Sequence, residues 1–283
     1  MSERSVPRLH VYMARQAPRA VVLRRGPSAW VRLSVWHTDS DRFDHGQWMH
    51  ARVYELRCDA SVDASLFAYF ASANTGIREP GGADTWIAVS RPPYFTALAL
   101  WWVGATYCAG AMFPQRNALF TGGVSQPDKG DLAPWLRLTR EVPHLDRTPE
   151  WTDRTVFFSR LLRDGWASSD DLTHARPLWE RSSPDGRTTL MMALPDAYDL
   201  MAERKPWAAE YALRDDAGGE MRPLGRATWA GWDAAGRLAM ARDGALWSVR
   251  PDGEVDLIED FRGQEPSPET SPPEARVWPD RPQ

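Results

Sequence analysis

The sequence has 283 residues, of which 43% are hydrophobic and 25% charged, so it can bury a substantial core and is not typical of an intrinsically disordered chain. No run approaches the roughly 18 uncharged apolar residues of a membrane span, and the Arg-rich N-terminus lacks the apolar core of a signal peptide. We therefore expect a cytoplasmic protein with no membrane association. Cys58 and Cys108 are too few for a disulfide framework or a Cys-based zinc site, and we expect both to be reduced and buried.

The formal net charge of −4 is distributed unevenly. Residues 1–37 carry an excess of about +6, whereas residues 251–283 carry about −6. One interpretation is an Arg-rich face for an anionic partner, and the favoured one is that the two ends of the chain pair with each other. Lysine is almost absent among the 34 basic residues, a skew that does not point to nucleic-acid binding.

Short strands separated by turns are predicted in the first 75 residues. Residues 21–23, 31–35, 52–56 and 66–70 are apolar or alternating runs, and residues 38–46 form a polar connection. The high content of aromatic residues, with 15 Trp, favours strands as well. Four strands in about fifty residues is the size of one propeller blade.

Similar turns recur along the chain, each followed by an apolar strand. They lie at residues 59–64, 101–104, 182–186 and 232–236. Taken as equivalent, they are spaced by about 40 to 50 residues or twice that, with room for a degenerate unit near residue 145. We therefore predict an all-β, β-propeller-like fold of five four-stranded antiparallel blades in one domain, residues 1–262. A sandwich or paired barrels are the alternatives.

Three further segments carry predictions. Residues 114–153 are interrupted by Pro and Gly, which indicates a long connection with a weak blade, and residues 195–213 allow at most a short helix before a strand at 211–213. The Pro-rich residues 263–283 are predicted to be disordered or loosely draped.

We expect the ring to close between the two ends of the chain. The strand at residues 21–23 should lie in the same blade as residues 254–258 or in an adjacent one, with Arg–carboxylate pairs across the seam. Burial of Val22, Leu23, Val255 and Leu257 should supply most of the free energy.

Six short motifs stand out in the first half of the chain: Arg24-Arg25-Gly26-Pro27-Ser28-x-Trp30, Thr38-Asp39-Ser40-Asp41-x-Phe43, Gly46-Gln47-Trp48, Arg52-x-Tyr54-Glu55-x-Arg57-Cys58-Asp59, Ser90-Arg91-Pro92-Pro93-Tyr94-Phe95 and Ala97-Leu98-Ala99-Leu100-Trp101. With these motifs the chain resembles a family of uncharacterised bacterial proteins with propeller-like, WD-repeat-like blades. The resemblance covers mainly residues 20–113. It implies blade repeats and a bacterial cytosol, and it implies no activity. The family pattern has glycine where this chain has Ala64, so the turn there should differ in type or be strained.

Signals of catalysis are weak. There is no Gly-x-Ser-x-Gly elbow and no phosphate-binding glycine loop, so no cofactor is predicted. Cys58, with Arg57 beside it, is the one candidate nucleophile, and a buried structural cysteine is the favoured interpretation. A candidate metal loop contains five possible donors, Asp39, Asp41, Asp44, His45 and His50. The loop is better explained as a solvated connection, and no metal is predicted.

A concentration of Arg and Trp is the remaining functional signal, because these residues anchor interfaces. The candidate binding residues are Arg24, Arg25, Trp36, Trp48, Arg52, Arg57, Arg91 and Trp101. The same residue types also stack between blades, and that structural interpretation is favoured.

Two functions remain open at this stage. The first is a non-catalytic interaction module that binds a protein or peptide through a propeller rim, at residues 39–47 and 91–93. The alternative is a small hydrolase that acts on a carbohydrate-like substrate through paired carboxylates at the axis. An axial pair of close carboxylates would favour the hydrolase, and an Arg/Trp patch on a rim would favour the binder.

Overall fold

The computed structural model describes residues 6–26, 29–73, 84–104, 106, 108–123, 126–143, 154–168, 178–195 and 208–281. Within these ranges the chain is nearly all β, with one α-helix and several four- to five-stranded antiparallel sheets. None of the helices in the described part of the chain is long and apolar enough to cross a membrane.

The first sheet has four antiparallel strands in chain order: β1 (Arg8–Met13), β2 (Arg19–Arg25), β3 (Trp30–His37) and β4 (Arg42–His50). The strands predicted at residues 21–23 and 31–35 are confirmed within β2 and β3. The connection predicted at residues 38–46 is wrong beyond residue 41, because β4 begins at Arg42. Its sequence is polar because β4 is the outer strand of the sheet, and its side chains are mostly only partly buried.

The second sheet follows directly and contains β5 (Arg52–Val53), β6 (Asp59–Ala60), β7 (Phe67–Ser72), β8 (Thr85–Ser90) and β9 (Ala97–Trp102). The strand predicted at residues 52–56 ends at Val53, and a 3-10 turn spans Glu55–Arg57. The predicted first blade therefore combined strands of two sheets. The prediction omitted β1, whose four central residues are all buried, and β4, whose sequence is polar. Neither strand shows the alternation of a strand with one exposed face.

The third sheet is short and irregular, as residues 114–153 predicted. It contains β10 (Met112–Gln115), β11 (Ala118–Phe120) and β12 (Arg137–Thr139), with β11 and β12 parallel. Helix α1 (Thr155–Arg163) follows and was not predicted. Val156 packs on the third sheet, whereas Phe157, Phe158 and Leu161 join the core of the next sheet.

Two more antiparallel sheets complete the described chain. The fourth contains β13 (Ala167–Ser168), β14 (Leu178–Ser182), β15 (Thr188–Ala193), β16 (Ala209–Asp215) and β17 (Met221–Ala227). The fifth contains β18 (Trp229–Trp232), β19 (Leu238–Arg242), β20 (Ala245–Val249) and β21 (Val255–Asp260). The predicted strand at 211–213 lies within β16. Most of the short helix considered at residues 195–210 lies outside the described residues. The degenerate unit predicted near residue 145 also lies outside them.

Three of the four predicted equivalent turns occupy equivalent places. Ala64, Gly186 and Gly236 have φ of 56°, 68° and 79°, and each residue's N–H donates to the carbonyl three residues earlier. Each turn enters a long strand from the strand before it in the sheet. Gly104 is not equivalent, because it follows β9, the last strand of the second sheet.

The first and last sheets pack against each other. Leu9, Val22 and Trp36 share one hydrophobic cluster with Leu246 and Phe261. The hydroxyl of Thr228 donates to the Leu9 carbonyl at 2.6 Å. The predicted adjacency of the two ends is thus confirmed.

The details of this closure differ from the expectation. Val255 is only partly buried and Leu257 is 53% exposed, because β21 is an outer strand, and Phe261 supplies the buried contact instead. Arg32 of the first sheet pairs with Glu269 near the C-terminus in the expected sense, at 3.1 Å, but the ion pair between the first and last sheets has the opposite sense. Arg237 of the last sheet binds both carboxylate oxygens of Asp41 in the first, at 2.7 Å each.

The Pro-rich end of the chain also differs from its prediction. Residues 263–281 lie along the outer strands of the first and second sheets, and Ser271 and Ala275 are 5% and 2% exposed. Composition indicated too little apolar surface to order this segment. The structure orders it through polar contacts to the body, which are described next.

Candidate functional site

A groove on the rim of the first three sheets holds the C-terminal residues of the chain. We call residues 264–281 the tail segment. The rim groove is formed by Arg24, Arg32, Gln47, Arg91, Thr96 and Trp135.

Close packing of a loop on β4 positions the centre of the groove. A Cβ on Gly46 would lie 2.2 Å from the Pro93 carbonyl oxygen, so only glycine allows the loop before β9 to approach β4. The Gln47 N–H donates to the Pro93 carbonyl at 3.0 Å, and its side-chain oxygen accepts from the Phe95 N–H at 2.9 Å. These bonds fix the Gln47 amide with its NH₂ group toward the tail segment.

Four side chains of the rim groove bind five backbone carbonyl oxygens of the tail segment. Their distances are 3.2 Å from Arg24 to Gln264, 3.2 Å from Gln47 to Glu269, 2.7 and 3.2 Å from Arg91 to Glu274 and Val277, and 3.3 Å from Trp135 to Pro279. The donors are all side chains, and the acceptors are all main-chain groups. Contacts of this kind recognise the backbone of an extended segment more than its side chains.

Two side-chain contacts add to this backbone recognition. Arg32 donates to the Glu269 carboxylate at 3.1 Å, and the Thr96 hydroxyl donates to the Ser271 hydroxyl at 2.7 Å. At the far end, Trp278 packs edge-on against Trp135, with ring centroids 6.4 Å apart. The groove therefore has a position for an acidic side chain and a position for an aromatic one.

Two guanidinium groups lie over one indole beside the tail segment. Arg24 and Arg32 are 5.0 and 5.4 Å from the Trp48 ring centroid. Burial and the nearby charge of Arg32 lower the pKa of Arg24 to about 10. Since Arg24 binds only carbonyl oxygens, the nearest counter-charge in this group is Glu269, which is bound to Arg32.

The eight candidate binding residues divide between this groove and other places. Arg24, Trp48 and Arg91 lie at the rim groove. Arg25 pairs with Glu55, and Trp36 is buried with its indole N–H bonded to Asp41 at 3.0 Å. Arg52 and Arg57 lie over the Tyr54 ring, 4.6 and 4.9 Å from its centroid. Trp101 is 1% exposed within the second sheet.

Four groove residues were missing from that candidate set. Arg32 and Thr96 gave no sequence signal, and Trp135 lies in the irregular segment. Gln47 falls inside the predicted rim at residues 39–47. The sequence could not identify the others because their partner, the tail segment, was expected to be disordered.

The candidate thiol is buried, and two acids of the candidate metal loop are bound by other side chains. Burial raises the pKa of Cys58 to about 12, and its thiol donates to the Tyr54 carbonyl at 3.1 Å. Asp41 is bound by Arg237, and Asp44 by His37 at 2.7 Å. Across the described ranges, no three His, Cys, Asp or Glu side chains are grouped so as to hold a metal ion.

A second candidate region is a cavity where β1, β14, β18 and the end of α1 converge, which we call the axial cavity. Its volume is about 670 Å³, and its lining runs along residues 13–18, 163–165 and 232–234 together with Arg181. A smaller inner cavity of about 70 Å³ shares Met13, Asp164 and Arg181 with it.

The axial carboxylates are already paired. Arg163 binds Asp59 through two contacts, at 2.5 and 3.1 Å, and Asp164 through two more, at 2.8 and 3.0 Å. Burial would raise the pKa of Asp59, but the charge and hydrogen bonds of Arg163 outweigh it and lower the pKa. Asp59 is therefore held ionised.

No family model matches this sequence, and no curated protein matches it. Among solved structures, the β-propeller domain of the Trilobed protease from Pyrococcus furiosus is 9% identical, with 89% of this chain and 85% of that chain covered and a TM-score of 0.29. An uncharacterised protein from Listeria monocytogenes is 9% identical, with 95% and 88% covered and a TM-score of 0.28. The tricorn protease is 9% identical, with 89% of this chain covered and a TM-score of 0.25. The chain spans 22% of the tricorn protease and 40% of an acylaminoacyl peptidase that it also resembles.

Proposed function

We propose that this chain is a non-catalytic interaction module with five propeller-like blades in one domain, residues 1–262, whose rim groove binds an extended, Pro-rich and acidic segment of a protein. The observation that carries this proposal is the row of rim donors on the tail carbonyls. In the absence of the partner, the tail segment occupies the groove.

The chemistry of a Pro-rich backbone supports this assignment. Proline lacks an N–H and favours polyproline II, in which backbone carbonyls have no internal partners and remain free for another surface. Pro272 has φ −68° and ψ 163°, which is close to that conformation. Grooves that recognise such segments combine aromatic side chains with donors to these carbonyls. Gln47 and Trp135 provide such donors here, whereas Arg91 binds the carbonyls of Glu274 and Val277 at the 3-10 turn Pro273–Arg276.

Because the tail segment and the rim groove belong to one chain, the tail segment can fill the groove and still be displaced by a partner. The tail segment follows Phe261 directly, so its effective concentration at the groove is high, on the order of millimolar for short linkers. A partner segment must bind the groove tightly enough to displace the tail segment at this effective concentration, or it must bind after another event has removed the tail segment. The groove is thus a site with an internal competitor.

The alternative of a carbohydrate-directed hydrolase has less support. Glycoside hydrolysis requires one carboxylic acid whose pKa is raised, together with a second carboxylate free to act. Asp59 and Asp164, which line the axial region, both bind Arg163, and the pKa of Asp59 is lowered. This arrangement stabilises ionised carboxylates.

The test uses the full chain with a protease recognition site inserted after the exposed Gly263. After cleavage, a fluorescent synthetic peptide of residues 264–281 is titrated in to exchange with the released tail. We expect saturable one-to-one binding, measured by fluorescence anisotropy. Arg91→Gln should weaken it at least tenfold, because two carbonyl bonds are lost.

Two controls accompany this titration. Arg250→Gln on the fifth sheet, where Arg250 binds Asp256 and Glu254, should leave peptide affinity unchanged. A peptide with Glu269→Gln should bind several-fold more weakly, since it loses the ion pair with Arg32. Failure of the cleaved, folded protein to bind the peptide, or equal affinity with Arg91→Gln, would contradict the proposal.

A further inference from the structure

The axial cavity contains a cation that pairs with none of the described residues. Arg181 lies on β14 and lines both the axial cavity and the smaller cavity behind it. Within the described part of the chain, its guanidinium makes no hydrogen bond and no ion pair. A partly buried guanidinium is costly without a partner, because its five N–H groups lose water.

The neighbouring acids cannot satisfy Arg181. Asp164 is the acid it faces across the cavity, and both oxygens of Asp164 are bound by Arg163. Asp233, on the opposite wall, is bound by Arg237 at 2.9 Å. Asp164 therefore acts on Arg181 only through its charge, and both of its oxygens are bound to Arg163.

Other cations increase the positive charge of the same space. Arg15 also lines the axial cavity, where its contacts are long: 3.7 Å to Asp164 and 3.5 Å to the Phe113 carbonyl oxygen. Arg160, which lines the inner cavity, lies 4.9 Å from the Tyr12 ring centroid and donates to the Cys58 carbonyl. Counting Arg163, four guanidinium groups line the two cavities against three carboxylates, those of Asp59, Asp164 and Asp233. Burial lowers the pKa of both Arg15 and Arg181.

The size and apolar lining of the cavity restrict the ligand. A volume of about 670 Å³ lies within the usual range for small-molecule sites. Met13, Ala14, Ala17 and Trp232 provide apolar surface beside the guanidinium groups. A planar guanidinium with free N–H groups pairs with a carboxylate through two parallel hydrogen bonds.

We infer that the axial cavity is a binding site for a small organic carboxylate, whose charged group pairs with Arg181 and Arg15 and whose apolar body lies against Trp232. This site lies apart from the rim groove and does not depend on the function proposed for it. The charge excess draws the anion into the cavity, and the apolar wall favours an acid with a hydrophobic body over an inorganic ion.

The experiment titrates the full chain by calorimetry with three probes: 3-phenylpropionate, its neutral amide, and inorganic phosphate. We expect 3-phenylpropionate to bind saturably, and both other probes to bind at least tenfold more weakly. Arg181→Met should reduce the affinity for 3-phenylpropionate at least tenfold, and Arg181→Lys should reduce it less because the charge remains. Arg187→Gln is the matched control on the hairpin after β14, where Arg187 is exposed, and it should change nothing.

Thermal stability separates a binding role from a structural one. Because Arg181 pairs with none of the described residues, Arg181→Met should leave the melting temperature unchanged or raise it. A lower melting temperature with unchanged affinity would overturn the inference, as would absence of saturable binding. Equal binding of the neutral amide would show that the site does not recognise charge. Tighter binding of phosphate would show that the site does not select organic carboxylates. Either result would overturn the inference.

Discussion

Single residues with positive φ fix the repeated hairpin turns. At Gly186, φ is 68°, and no atom lies within 4 Å of the place where a Cβ would be. The cost of a side chain there is therefore backbone strain without a steric clash. Ala64 shows that one of the equivalent turns accepts a side chain, at φ 56°, where the residue is fully buried. The glycine expected at position 64 from the resemblance would relieve the strain but lose the buried methyl group.

Gly186→Val should lower the free energy of unfolding by about 1–2 kcal/mol, because a β-branched residue is strongly disfavoured in the left-handed region. Urea denaturation measures this change. Asp185→Ala in the same turn should also destabilise the fold, since the Asp185 carboxylate accepts from the Arg187 N–H and the Ser183 hydroxyl. A neutral Gly186→Val would contradict the equivalence of this turn with those at Ala64 and Gly236.

A buried histidine on β1 makes stability depend on pH. Burial lowers the pKa of His10 to about 4, against an ordinary value of 6.5, although Glu55 at 3.7 Å partly offsets the effect. Between pH 6.5 and 4 the unfolded chain binds a proton at this residue that the folded chain does not. Stability contributed in this way is complete above pH 6.5 and falls as the pH decreases toward 4.

We expect His10 to account for up to roughly 3 kcal/mol of lost stability across that pH range. His10→Gln should flatten the profile of unfolding free energy from pH 6.5 to 4. The matched control His50→Gln, at an exposed position, should not. Asp59, whose pKa is lowered, acts in a different range: its contribution is present above its ordinary value and is lost below about pH 4. An unchanged slope in His10→Gln would contradict the assignment.

At the scale of elements, the inner strands were predictable, whereas among the outer strands β21 was predicted and β4 was not. Strands β2, β3 and β16 are covered by neighbouring sheets, so their apolar residues form a clear pattern. Strand β4 is exposed along one side and resembles a loop in sequence. Helix α1 was missed because its apolar residues face two different sheets and no side chain caps its first turn.

The tail segment is the element whose role changed most between sequence and structure. Composition predicted that deletion from Gly263 onward would leave stability nearly unchanged. The contacts to Arg91, Gln47 and Arg32 lead to the opposite expectation. The segment is ordered by donors elsewhere in the chain, which no local pattern could show.

Deletion of residues 263–283 should lower the free energy of unfolding by roughly 1–3 kcal/mol, because several net hydrogen bonds of about 1 kcal/mol each are lost. For a chain of this size the melting temperature should fall by several degrees. Calorimetry of the full and truncated chains measures this. An unchanged melting temperature would mean that the tail segment contributes no stability to the rim.

At the scale of the whole molecule, the contact between the two ends was predictable, but its chemistry was not. The opposite charges of the ends indicated that they meet, and the cluster of Val22 with Phe261 confirms that they do. Arg32 and Glu269 pair the two charged ends directly, but the pair between the first and last sheets, Arg237 with Asp41, involves neither end. Charge counted along the chain therefore predicted proximity without identifying the interacting residues.

The same limit applied to the candidate site. Arg and Trp counts identified Arg24, Trp48 and Arg91, which lie at the rim groove, together with Trp36 and Trp101, which are core residues. Residue type cannot separate these two groups, because both stacking and binding use the same side chains. Only the position of the tail segment separates them.

Docking of the tail segment in the rim groove is tested most directly by a disulfide between Thr96→Cys and Ser271→Cys. The two hydroxyl oxygens lie 2.7 Å apart, so two thiols at these positions are placed to form a bond after a small adjustment. Under mild oxidation we expect a bridge within one chain in most molecules, detected by mass spectrometry after proteolysis. Chains with either single substitution should form no such bridge. Free thiols at both positions, or bridges only between chains, would contradict the account.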